Sequence, residues 1–83
     1  MEILGLNSQV VKKLKKYGLV RKFEKQTKLL IDNLYHPSLH VELLEPKKME
    51  IYSFRIDRKF RALFIFRKKG KLIEILNVTV HYR

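Results

Sequence analysis

The stretch EIYSFRI (50–56), DRK (57–59), FRALFIFR (60–67), KKG (68–70), KLIEILNVTV (71–80) decides the fold. Its three long runs are rich in β-branched and aromatic residues, their period is two instead of the helical 3.6, and each gap is a short polar segment. That pattern predicts three antiparallel strands joined by tight hairpins. HVELL (40–44), set off by EPKK, adds a fourth strand, and residues 1–6 supply a short candidate edge strand.

Upstream of Pro37 the apolar period is helical. SQVVKKLKKY (8–17) places Val10, Leu14 and Tyr17 at i, i+4 and i+7, with Asn7 or Ser8 as the cap and Gly18 as the stop. From Leu19 to Tyr35 the set Val20, Phe23, Leu30, Ile31 and Leu34 keeps helical spacing, with Thr27 filling the gap. His36-Pro37 ends it, because the residue before proline is pushed out of the helical region. Helices followed by short-looped strands predict an α+β domain: an N-terminal helical hairpin packed on one face of a mainly antiparallel, four- to five-stranded twisted sheet.

Residues 1–83 form one domain in this reading, since a second core would need roughly another 50 residues. No run approaches the roughly 18 apolar residues of a membrane span, and MEILGL is too short for a signal peptide, so the expectation is a cytoplasmic protein with no membrane partner. With no cysteine, a disulfide framework, a thiolate nucleophile and a sulfur metal site are excluded. Nineteen Lys and Arg against eight Asp and Glu leave a net charge of +11, which attracts a polyanion or an acidic partner.

Hairpin register carries the argument further. With DRK as the loop, Ile56 pairs with Phe60 and Arg55 lies directly opposite Arg61, a destabilising juxtaposition of like charges. An odd loop at 68–70 pairs Arg67 with Lys71 and Arg61 with Asn77, and puts Thr79 and His81 on the arginine face; an even loop puts His81 behind the sheet. On the odd loop, Tyr52, Phe54, Ile56, Phe60, Ala62, Phe64, Phe66, Leu76, Val78 and Val80 form the helix-covered face. The other face then has a polar end of Arg55, Arg61, Asn77, Thr79 and His81. Its other end is an apolar patch of Ile51, Leu63, Ile65, Ile73 and Ile75 with no helix left to cover it, which suits a partner. Two facing arginines gain most when an anion sits between them.

HPSLHVELL, IYSFRIDRKFRALFIF and IEILNVTVHYR together resemble the RelE/ParE superfamily of bacterial and archaeal type II toxins. The signature of that family is a His-Pro or Asn-Pro after the second helix, a Tyr/Trp-Ser-x-Arg-Ile strand, an aromatic-Arg strand and a closing histidine segment. The likeness covers about the last 50 residues, and the ending HYR is most similar to the RelE and YoeB branch of ribosome-dependent messenger RNA interferases. It implies that Arg61 is the phosphate-contacting arginine and Arg55 its neighbour, that His81 and Tyr82 are the closing His-Tyr pair, and that Glu42 is the general base. Because lysine-based variants of the site exist in the family, Lys47 and Lys48 also stand as candidates.

RNA supplies its own nucleophile in the 2′-hydroxyl. Cleavage then needs a base, positive charge for the phosphorane and an acid for the departing 5′-oxygen, with no metal and no cofactor. Glu42, the Arg55/Arg61 pair and His81 fit those roles. The basic helices add Lys12, Lys13, Lys15, Lys16, Lys22 and Lys25, which with Arg58 and Arg83 suit ribosomal RNA. The charge and the apolar patch together imply a cognate acidic antitoxin, with a homodimer as a free form. Two other functions remain open: a DNA gyrase inhibitor of the ParE type without nuclease activity, and a non-catalytic RNA-binding module.

Overall fold

The computed structural model describes residues 1–80. The chain runs β1 (Glu2–Ile3), α1 (Ser8–Lys16), α2 (Val20–Asp32), a 3-10 turn (Pro37–Leu39), β2 (Glu42–Leu43), a second 3-10 turn (Lys47–Met49), β3 (Tyr52–Arg55), β4 (Phe60–Arg67) and β5 (Leu72–Val80). The strands form one sheet in the order β1-β5-β4-β3-β2. All neighbours are antiparallel except β1, which pairs parallel with β5. This is the expected α+β architecture.

The first helix is delimited by the residues that its ends need, whereas α2 starts after Leu19 with no side-chain cap. Asn7, and not Ser8, caps α1: its Oδ1 accepts the Val10 N–H at 2.9 Å. Gly18, at φ +64, supplies the left-handed residue that stops the helix. The second helix ends at Asp32, earlier than the apolar spacing predicts, and Val20 and Ile31 stay exposed. Its buried stripe is instead Leu19, Phe23, Gln26 and Leu30, at intervals of four, three and four. Leu19, Phe23 and Leu30 pack with Val10, Leu14 and Leu39 on the sheet face made by Phe54, Ile56, Phe60, Ala62, Phe64, Ile73, Ile75 and Val78. Phe23 meets Phe54 with ring centroids 6.0 Å apart, and Phe54 meets Phe64 at 5.7 Å.

The β3–β4 register agrees with the sequence reading: Ile56 donates to the Phe60 carbonyl at 3.0 Å and Arg55 stands opposite Arg61. Asp57 fastens this turn, its Oδ1 accepting the N–H groups of Lys59 and Phe60 at 2.8 Å each.

The β4–β5 register differs from expectation. Arg67 pairs with Leu72 rather than Lys71, so the loop is the four residues 68–71, and Arg61 pairs with Thr79 rather than Asn77. An even loop alone would invert the far half of β5, but the pairing jumps from Phe64↔Ile75 to Leu63↔Asn77. Leu76 is the extra residue of a β-bulge, and it restores the original parity.

Two assignments change as a result. Between the loop and the bulge the inward residues of β5 are Ile73 and Ile75, which are 0% and 3% exposed, so neither belongs to the open apolar patch. Leu76 sits at the bulge, half-buried, instead of in the core. The open face keeps Ile51, Leu63 and Ile65, all half-buried. HVELL shrinks to the two paired residues of β2, and Lys47 and Lys48 lie in a 3-10 turn.

Candidate functional site

Both helices pack on one face, so the polar side chains of the central strands collect on the other. Cross-strand pairing sets Arg55 opposite Arg61, Arg61 opposite Thr79, and Glu42 opposite Ser53. The Arg61 side chain runs from β4 toward β2: its Nη2 lies 3.9 Å from Glu42 Oε1, and its Nη1 donates to the His40 carbonyl at 3.2 Å. It is 6% exposed, whereas the Glu42 side chain is 56% exposed. A guanidinium withdrawn from water this far needs good partners, because an uncompensated buried charge costs several kcal/mol. His40 turns its carbonyl toward Arg61 from a left-handed backbone, φ 44. Arg55 is half-buried and makes no ion pair among the described residues.

The structure therefore brings Arg55, Arg61 and Glu42 together with the backbone of His40. Thr79 joins them by register, while Asn77 does not. Asn77 Oδ1 accepts from Lys13 Nζ at 2.8 Å and from the Val78 N–H at 2.9 Å, and Lys13 also donates to the Val78 carbonyl at 3.1 Å. Lys13 is thus a clamp between α1 and β5. Lys22 is drawn into an ion pair with Asp57 at 3.1 Å. Lys12, Lys15, Lys16, Lys25, Lys47, Lys48 and Arg58 are exposed. His81, Tyr82 and Arg83 lie outside the described residues.

Burial pushes the Asp57 carboxyl up, but the backbone N–H groups of Phe60 and Lys59 and the Lys22 ammonium outweigh it, leaving its pKa below the ordinary carboxylate value. This ionised turn residue fixes the hairpin that sets one arginine against the other. Among the described residues, no three His, Asp or Glu side chains gather to hold a metal ion.

Sequence reasoning missed three features. Gln26 occupies the buried stripe of α2 and is 6% exposed; its Nε2 donates to the Arg55 carbonyl at 2.7 Å and to the Ser38 carbonyl at 3.3 Å. A polar residue three past Phe23 and four before Leu30 was the available signal. Ser53 is 1% exposed, and its hydroxyl has no hydrogen-bond partner among the described residues. The segment between α2 and β2 forms an open cavity of about 210 Å3, lined by Leu34, Tyr35, His36, Pro37, His40 and Val41.

No protein-family model and no curated protein sequence matches the chain. Solved structures do match. A YoeB/ParE toxin from Agrobacterium tumefaciens superimposes with a TM-score of 0.74 at 15% identity, covering 99% of this chain and 100% of that one. A YoeB dimer from Staphylococcus aureus gives 0.73 at 20% identity, covering 99% and 98%. The archaeal RelE–RelB complex from Pyrococcus horikoshii OT3 gives 0.72 at 24% identity, covering 99% and 93%. The chain has the RelE/ParE toxin fold.

Proposed function

We propose that this protein is the toxin of a type II toxin–antitoxin pair and acts as a metal-independent, ribosome-dependent endoribonuclease on messenger RNA. The observation that carries the reading is the placement of Arg55 directly opposite Arg61, with the Glu42 carboxylate 3.9 Å from Arg61, on the face that the helices leave uncovered. Like charges in directly opposed positions are a cost to the sheet, and a phosphate between them turns that cost into two charge-assisted contacts. The fold of the YoeB and RelE structures supports the same reading.

In this mechanism Glu42 removes the proton of the attacking 2′-hydroxyl. The oxygen bonds to phosphorus, the arginine pair stabilises the negative charge of the phosphorane, and the bond to the 5′-oxygen breaks. His81 protonates that leaving oxygen, a role suited to imidazole because its ordinary pKa is near neutrality. The products are a 2′,3′-cyclic phosphate and a 5′-hydroxyl. Arg61 lies nine-tenths buried before any RNA arrives, so little reorganisation is needed when charge develops. An acidic antitoxin is the counterpart expected for a chain carrying +11, and two of the matched structures, RelE–RelB and YoeB–YefM, are complexes with a partner protein.

Adding the purified chain to a translating extract with a reporter message, and mapping new 5′ ends, tests the proposal. Cuts confined to ribosome-bound message and abolished by Arg61→Met are expected. An intact message under conditions where an established interferase cuts would overturn it; gyrase-dependent DNA breaks in the same extract would transfer the function to the gyrase-inhibiting type.

A further inference from the structure

The cavity beside the arginine pair has no part in the mechanism above. Its wall includes Tyr35, which is 87% exposed and so does almost nothing for the core. The surrounding backbone is nonetheless well fixed. Asn33 Oδ1 accepts the Tyr35 N–H at 3.0 Å, and the Asn33 carbonyl accepts the His36 N–H at 3.0 Å. His36 Nδ1 accepts the Ser38 N–H at 3.2 Å and lies 2.9 Å from the Ser38 hydroxyl. In the neutral ring that arrangement leaves the proton on Nε2, which has no hydrogen-bond partner among the described residues.

Two ties hold this segment to the candidate active site. Gln26 bridges the Ser38 carbonyl to the Arg55 carbonyl, and Arg61 donates to the carbonyl of His40, itself a cavity residue. The backbone at Ser38 and His40 is therefore tied to the arginine strands. A volume of about 210 Å3 falls short of the roughly 300 Å3 at which sites for drug-sized ligands begin, which suits a single heteroaromatic ring. Tyrosine and histidine are among the side chains on which unstacked RNA bases stack, and such stacking tolerates sequence variation.

We propose that the Tyr35–His40 cavity receives one unstacked nucleobase of the single-stranded RNA whose neighbouring phosphate lies against Arg55 and Arg61. Tyr35 supplies the stacking surface, and His36 Nε2 faces the base edge. This rests on the reading of the chain as an RNA-cutting toxin, and it adds a specificity element to that site. A base held here aligns the strand, so Tyr35 acts on substrate affinity more than on the chemical step.

The test is equilibrium binding of a short oligoribonucleotide made uncleavable by 2′-O-methyl riboses, with 2-aminopurine moved through each position in turn. Fluorescence quenching is expected at one position only. Tyr35→Ala should abolish it and weaken binding by roughly 5- to 160-fold, and Tyr35→Phe, which keeps the ring, should retain it. Quenching at no position, or quenching unchanged in Tyr35→Ala, overturns the proposal. Because the probe cannot be cut, the two ideas fail separately: cleavage without quenching removes the base pocket alone, and quenching without cleavage removes the nuclease alone.

Discussion

The opposed arginines make a quantitative demand on stability. Arg55 and Arg61 are direct cross-strand partners, so their Cβ atoms are about 5 Å apart. Two unit charges taken as about 6 Å apart, in an effective dielectric between about 20 and 60, repel by about 1–3 kcal/mol. Arg55 is only half-buried, which favours the lower figure. Arg55→Met keeps much of the aliphatic stem and removes the charge, so it should raise Tm by about 4–8 °C in a domain of this size, while RNA cleavage is lost. Arg61 has several other partners, so the clean quantity is the coupling from the cycle of Arg55→Met, Arg61→Met and the double variant. Thermal and urea unfolding at low ionic strength should give an unfavourable coupling of about 1 kcal/mol. At about 1 M salt, where the Debye length is about 3 Å, most of that coupling should vanish. A coupling of zero, or one that favours the pair at low salt, refutes the reasoning that the site is held under electrostatic tension.

Asp57→Asn should lose charge-assisted bonds from two turn N–H groups and Lys22. Since the folded carboxyl has a lowered pKa, its stabilisation is full above the unfolded value of about 3.9 and disappears as pH falls through the folded value, so the wild-type advantage should shrink on acidification; an advantage that grows in acid contradicts the assignment. Gln26→Leu strands the Arg55 carbonyl, costing about 1–3 kcal/mol less the gain from burying leucine, and should lower Tm; a variant melting at or above wild type refutes the clamp. Deleting Leu76 removes the bulge yet leaves Ile75 and Val78 inward and Asn77 outward, so the variant should fold, whereas deleting Val78 drives Asn77 or Thr79 into the core and should not; circular dichroism of the two deletions, behaving alike, contradicts the bulge account.

Which parts of this arrangement the sequence reveals follows from what each element demands of its residues. The β3–β4 hairpin was legible because Asp57 announces the turn and aromatic residues flank it, so Arg55 could be set against Arg61. The β4–β5 hairpin was not. Its four-residue loop holds Lys68 and Lys69 at positive φ, a conformation that lysine does not advertise, and the bulge at Leu76 carries no glycine to mark it. The two departures cancel in parity, which is why Thr79 still faces the arginines while Ile73 and Ile75 move to the core. The sequence gives no hint that Lys13 reaches β5, since a lysine in a basic helix reads as solvated until the tertiary partner is known. His81 and Tyr82, the residues with the most chemistry in the sequence reading, lie outside the described residues; His81 enters the mechanism from the family resemblance, and Tyr82 has no step in it.

Most direct of all is a titration of the arginine side chains themselves. The guanidinium Nε resonances of Arg55 and Arg61 can be followed by nuclear magnetic resonance as an uncleavable dinucleotide is added. Both should move together along one saturable curve, and Arg55→Met should weaken the binding that Arg61 reports. Resonances that stay still while the helix lysines respond would show that RNA meets the basic helices alone, and that the opposed arginines bind no phosphate.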